Sequence, residues 1–239
     1  MLKKIRQKEG RNLAKFVPEV KGALRNHIIE LPPVIRDASG IKVFGKRLKS
    51  FIFSTDVAII RNTNADAVIA VYPFTPQPII TQALVISSDI PIFCGVGGGI
   101  TTGKRVVNLA LDAEFKGAMG VVVNNPTPNE VIRNMRETID IPIVVTVVSE
   151  YEDIRSRIEA GANIINVSGA DRTPMIVKKI REQFKEIPII ATGGPNEESI
   201  KRAIDAGANA ITVTPPSTAQ IFRDIMNKYR KQYSDDRFE

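Results

Sequence analysis

Residues 187–217 restrict the fold more than any other part of the chain. They open with a short apolar run, Ile187-Pro-Ile-Ile-Ala191, which has the length of a buried strand. Gly193-Gly194 breaks the run, and Pro195 and Asn196 open a helix with Glu197 and Glu198 in its first turn. Ile200, Ala203 and Ile204 recur at helical spacing, and Ala206-Gly207-Ala208 closes the helix with a glycine suited to a left-handed cap. Ala210 to Val213 then reads as a second strand. In such a strand–helix–strand unit, ligands bind at the loop after a strand.

The unit recurs along the chain. Ile187-Pro-Ile-Ile falls without a gap on Ile141-Pro-Ile-Val, Gly207 falls on Gly161, and Asn209 on Asn163. Asp89-Ile-Pro-Ile92 starts an earlier copy that ends at Gly117–Asn124, and Ser50–Thr55 with Ala65–Tyr72 supplies the first. Four two-strand units make eight strands alternating with helices, which closes as a parallel barrel or opens as a doubly wound sheet. The count and the near-even spacing favour a single α/β (β/α)8 TIM barrel over residues 45–231, a length that fits the ~250 residues such barrels use. Residues 1–44 form a basic N-terminal extension in this reading, and residues 232–239 a polar tail. The extension is expected to hold one helix from Pro18 to about Glu30, with Val20, Leu24 and Ile28 as its apolar stripe. That helix would cap the barrel floor or pack against another subunit of a homo-oligomer. Ile41–Gly45 is expected to be a short strand outside the barrel, with Lys46–Lys49 turning the chain into it.

Charge and composition exclude several classes. With 43% hydrophobic and 25% charged residues in 239, the chain is globular. No apolar stretch approaches the ~18 residues needed to cross a bilayer, and Met1–Glu9 lacks an apolar signal core, so no membrane partner and a cytoplasmic location are expected. A single cysteine, Cys94, excludes an internal disulfide framework and a cysteine-cage zinc site. The net charge of +7 is concentrated at the front, where residues 1–30 hold eight Lys/Arg against three Glu. This is either a solvated face or an attraction for RNA or phosphorylated ligands; no RNA-binding motif accompanies it.

Chemistry in such a barrel belongs at the loops after the strands. Gly193-Gly194, preceded by Thr192, and Thr214-Pro-Pro-Ser217 are the last two of these loops. Glycine lets backbone N–H groups approach a phosphate, and a helix N-terminus adds a favourable dipole. Thr192, Gly193, Gly194, Thr214 and Ser217 are therefore the candidate phosphate-binding set; the alternative is a tight strand-to-helix turn. Pro215 and Pro216 remove two donors from the second loop.

Over residues 141–217 these two loops resemble those of phosphate-binding (β/α)8 barrels of the ribulose-phosphate-binding and thiazole-synthase kind. That resemblance implies an enzyme acting on a phosphorylated small metabolite as a lyase, isomerase or hydrolase. The thin supply of charged groups also fits a non-catalytic phosphometabolite sensor contacting RNA, resembling the glycerol-phosphate-responsive antiterminators. Barrels that bind flavin phosphate are similar here too, which keeps FMN as the alternative to no cofactor.

Catalytic groups are scarce. His27, the only histidine, falls on the expected N-terminal helix, away from the strand ends, so neither a histidine triad nor a metal cluster is expected. Asp56, after the first barrel strand, is the candidate acid/base, or equally a helix N-cap. Asn124 and Ser168 are candidates for orienting polar groups. Alternation places Asn166 with Ser168, and Thr212 with Thr214, on one face of their strands. Gly97-Gly98-Gly99, followed by Thr101, Thr102 and Lys104, reads as a mobile lid, a second anion contact or a flexible surface loop.

Overall fold

The computed structural model describes residues 18–20, 22, 28–194 and 196–235. Eight parallel strands close into a barrel: β3 (Ser50–Phe53), β4 (Ala67–Ala70), β5 (Ile92–Gly97), β6 (Gly120–Val123), β7 (Ile143–Val147), β8 (Ile164–Val167), β9 (Ile189–Thr192) and β10 (Ala210–Val213). The order is β3 through β10 in sequence, and β10 pairs with β3 at Thr212–Phe51 to complete the ring. A helix follows each strand: α1 (Val57–Arg61), α2 (Pro78–Ser87), α3 (Lys104–Phe115), α4 (Asn129–Thr138), α5 (Ile154–Ala160), α6 (Thr173–Gln183), α7 (Glu197–Asp205) and α8 (Thr218–Asp235). This is the single TIM barrel expected from the alternating pattern.

Alternation along each strand sorts the core into two layers. Ile52, Val68, Val121, Ile143 and Ile165 pack outward with helix residues such as Ile132 and Met135. Phe51, Ile69, Phe93, Val122, Val144, Ile164 and Ile190 fill the barrel itself. Inside, Phe51 and Phe93 meet edge to face, centroids 5.3 Å apart, a favoured aromatic geometry.

A β-hairpin plugs the floor. β1 (Ile41–Val43) pairs antiparallel with β2 (Lys46–Leu48), and Ile41, Val43 and Leu48 join the cluster that fills the barrel. The expected turn at Lys46–Lys49 is thus mostly strand. The reversal comes one step earlier, at Phe44 (φ 43) and Gly45 (φ 84). Two consecutive positive φ values make the tight two-residue turn that matches strand twist. The hairpin straddles the 44/45 boundary drawn from the sequence.

The helix expected from Pro18 to Glu30 is absent at both described ends. Residues 18–20 carry no helix, and Ile29 forms a parallel bridge with Thr63. Ile29 N donates to Asn62 O at 2.8 Å and Leu31 N to Asn64 Oδ1 at 2.9 Å, so one backbone and one side-chain oxygen from the loop after α1 take up these N–H groups. The middle of that stretch, including Leu24 and His27, lies outside the described residues. α8 runs on to Asp235, into the stretch expected as a polar tail. No helix among the described residues is long and apolar enough to cross a membrane.

The two aligned asparagines do the same work. Asn163 Oδ1 accepts from Ile143 N, and Asn209 Oδ1 from Ile189 N, each at 2.9 Å. Their backbone N–H groups donate back to the Ile143 and Ile189 carbonyls. Each side chain locks the start of the preceding strand, so the shared Ala-Gly-Ala-Asn reflects how strands begin and not chemistry at the mouth.

Candidate functional site

Going up the barrel axis, the inward positions change from apolar to polar. β8 turns Ile164 and then Asn166 inward, β7 Val144 and then Thr146, and β10 Ala210 and then Thr212. The lower member of each pair closes the core. The upper members, with Ser168, Thr192, Thr214 and Asn124, line a cavity of about 260 Å³ at the carboxyl ends of the strands, the face where barrels of this kind carry their chemistry. Phe53, Ile69, Val71 and Val122 complete its wall.

A second lobe of about 320 Å³ adjoins the first, and the two share Val71 and Asn124. Gly95, Gly97, Gly98 and Gly99 supply backbone to this lobe, while Tyr72, Phe74 and Ile100 stand beside it. Three of these glycines are fixed by packing. A Cβ on Gly95 would meet Val71 at 2.7 Å, on Gly97 Val106 at 2.7 Å, and on Gly98 Asn124 at 2.5 Å. The loop is closed on itself rather than loose: Gly98 N donates to Thr101 O at 3.0 Å, Thr101 N to Gly98 O at 3.3 Å, and Thr101 is buried.

Two polar atoms in the inner lobe have no partner. Asn166 is 8% exposed and its Nδ2 donates to Thr146 Oγ1 at 3.2 Å, but its Oδ1 makes no hydrogen bond. Thr212 is 4% exposed and its Oγ1 is likewise unmatched. Buried polar groups are almost always satisfied, and each orphan costs about 1–3 kcal/mol. A sequence signal for them exists: polar residues at period two inside otherwise apolar runs, Ile-Ile-Asn166-Val-Ser168 and Ala-Ile-Thr212-Val-Thr214.

The remaining candidates sit elsewhere. Asp56 lines neither lobe; it is the N-cap of α1, where Oδ1 accepts Ala58 N at 2.8 Å and Oδ2 accepts the Thr218 hydroxyl at the start of α8. Both oxygens are thereby engaged in joining two helices. Gly193 N donates to Thr212 O at 2.8 Å, and a Cβ there would press on Ile211 and Ile200 at 3.1 and 3.2 Å. Gly194 is exposed, and its N–H makes no hydrogen bond among the described residues. Ser217 caps α8: its hydroxyl accepts Gln220 N at 3.2 Å, and its own N–H donates to Gln220 Oε1 at 3.3 Å, a reciprocal capping arrangement.

Of the described side chains lining the two lobes, Tyr72 alone can titrate. Burial pushes its phenol above the usual 10.0, against an opposing hydrogen bond from Gln77 N, so it stays neutral near pH 7. Cys94 belongs to the outer layer. Burial, helped by the Asp112 carboxylate, pushes its thiol from 9.0 up to about 12. The unfolded thiol ionises first, so this contribution to stability is intact below pH 9 and is lost as pH rises toward 12. Iodoacetamide is therefore expected to leave Cys94 unlabelled in the native protein at neutral pH and to label it in denaturant, because the thiolate is the reactive form. Labelling at equal rates in both states would contradict this.

No family profile matches the chain, and no curated protein matches it by sequence. Solved structures do match by shape. One is a protein assigned as a phosphonomutase from Burkholderia cenocepacia J2315: 14% identity, TM-score 0.59, 77% of this chain and 93% of that one. A mandelate oxidase matches at 15% identity and TM-score 0.56, over 74% and 68% of the two chains. A phosphonopyruvate hydrolase, solved with oxalate and Mg²⁺, matches at 14% and 0.53, over 80% and 82%. At these identities the likeness establishes the class, a TIM barrel.

Among the described residues no three His, Cys, Asp or Glu side chains converge. The mouth offers hydroxyls and amides without a carboxylate, a donor set that does not fit Mg²⁺, which is held through one or two carboxylates.

Proposed function

We propose that this barrel is an enzyme of small-molecule metabolism whose substrate is a phosphorylated metabolite seated at the mouth. The observation that carries the reading is the pair of buried, unmatched polar atoms, Asn166 Oδ1 and Thr212 Oγ1, in a cavity at the catalytic face of the fold. A larger groove of about 630 Å³ runs between α1 and α8, but Ile28, Ile29, Ile221 and Ile225 make it mainly apolar, and neither orphaned atom lines it.

The phosphate belongs at the rim. Thr192 and Thr214 bring hydroxyls there, and Gly194, which follows Thr192 in the same loop without lining the cavity, has an N–H that bonds to none of the described residues. Gly193 and Ser217 leave the donor set, because the protein already uses their groups. Glu197 and Glu198 in the first turn of α7 oppose an anion, so the phosphate site is a modest one. Asp56 leaves the catalytic set for the same reason as Gly193. Asn124 and Ser168 then act by orienting and polarising the ligand through hydrogen bonds.

The test is calorimetric titration of sugar phosphates and their dephosphorylated counterparts, followed by assays for turnover. Affinity should fall at least about tenfold without the phosphate, the worth of one charge-assisted hydrogen bond, and Thr192→Val with Thr214→Val should remove that advantage. Equal affinity for both forms would refute the rim site. A sensor reading draws on the same neutral lining; binding without turnover, together with steeply salt-dependent RNA binding, would favour it. A flavin spectrum in the purified protein would instead favour FMN, with its phosphate on the same rim groups.

A further inference from the structure

Resting on the mouth as the ligand site, we infer that the inner end of the ligand is an uncharged, hydroxylated head of polyol or sugar type, inserted before the anion. The two orphaned atoms set the requirement. Asn166 Oδ1 only accepts, so the head must bring a donor; the Thr212 hydroxyl both donates and accepts. They stand on β8 and β10, with β9 between them, so donors must leave the ligand in different directions, as the hydroxyls of a polyol do.

Charge excludes the alternatives. A phosphate or carboxylate pushed inward would be stripped of water, would meet no cation, and would face the Asn166 oxygen. An ammonium would find no carboxylate. A flat apolar ring would leave both orphans unmatched, and the inner lobe has only Phe53 to stack on. The anion therefore stays at the Thr192–Thr214 rim while the hydroxylated end goes down the axis.

Isothermal titration of alditol and aldose phosphates against n-alkyl phosphates of the same chain length tests this. The hydroxylated compounds should bind at least about tenfold tighter, one hydrogen bond's worth. Thr212→Val keeps the shape and removes the orphan. It should abolish much of that preference while raising the melting temperature of the free protein, a combination that a structural hydroxyl would not produce. Equal binding of alkyl and hydroxylated phosphates overturns the head assignment and leaves the rim phosphate standing. Equal binding of an alditol and its phosphate supports the head and overturns the rim phosphate. Failure of the whole panel overturns both, and a fall in melting temperature for Thr212→Val overturns the role given to Thr212.

Discussion

Phe93→Ala is expected to destabilise the protein by about 3–5 kcal/mol, read as a fall in melting temperature on the order of 10 °C for a chain of this size. Phe93 is fully buried inside the barrel, edge-on to Phe51. Its ring also occupies the space where a side chain on Gly120 would sit: a Cβ there would lie 2.5 and 2.6 Å from the Phe93 Cδ1 and Cε1 atoms. The two positions are therefore coupled. Gly120→Ala alone should destabilise by overpacking, about 1–3 kcal/mol. In the Phe93→Ala background the added methyl no longer meets the ring, and the penalty should shrink to what the backbone oxygen of Pro142, 3.0 Å from that Cβ, still imposes. Denaturant melts of the four proteins in a double-mutant cycle should give a coupling of about 1–3 kcal/mol. Additive losses would mean that the ring and the glycine are not sharing one volume. Phe222→Ala on the exposed face of α8 is the control, expected within about 0.5 kcal/mol.

The barrel was legible because it is written in local patterns that repeat. Pro78 and Pro128 mark helix starts, Gly161 and Gly207 mark helix ends, and apolar runs between them have strand length. The floor was not legible, because a hairpin of three-residue strands has too little alternation to announce itself, and its turn is set by Phe44 at a positive φ, which bulky residues seldom adopt. The ring of neutral polar side chains could be read from alternation at Asn166, Ser168, Thr212 and Thr214. What hid the rest was competition for the same atoms. Asp56, Gly193 and Ser217 carry the residue types that chemistry needs, yet capping and sheet bonding use the same types. Only the three-dimensional partners, Ala58, Thr212 O and Gln220, separate the two uses.

Gly98→Ala should disable the mouth where Gly99→Ala, one residue on, should not. Both glycines have positive φ, +116° at Gly98 and +62° at Gly99, so a side chain is strained at either by about 1–3 kcal/mol. The surroundings differ. A methyl on Gly98 would stand 2.5 Å from Asn124 Cβ and 3.2 Å from the Asn124 Cα and N, whereas one on Gly99 meets nothing within 4 Å. Asn124 is tied to β5 through its own N–H, which donates to Gly97 O at 3.0 Å, so it cannot retreat without breaking the contact between β5 and β6. Strain and displacement together should cost Gly98→Ala about 2–5 kcal/mol. Because Asn124 walls both lobes, ligand affinity should fall about tenfold or more beyond what the stability loss explains, a displacement of one well-placed polar contact. Denaturant melts and titrations on both variants separate the effects. Losses of the same size at both positions would mean that loop flexibility, and not the close approach of Gly98 to Asn124, is what these glycines provide.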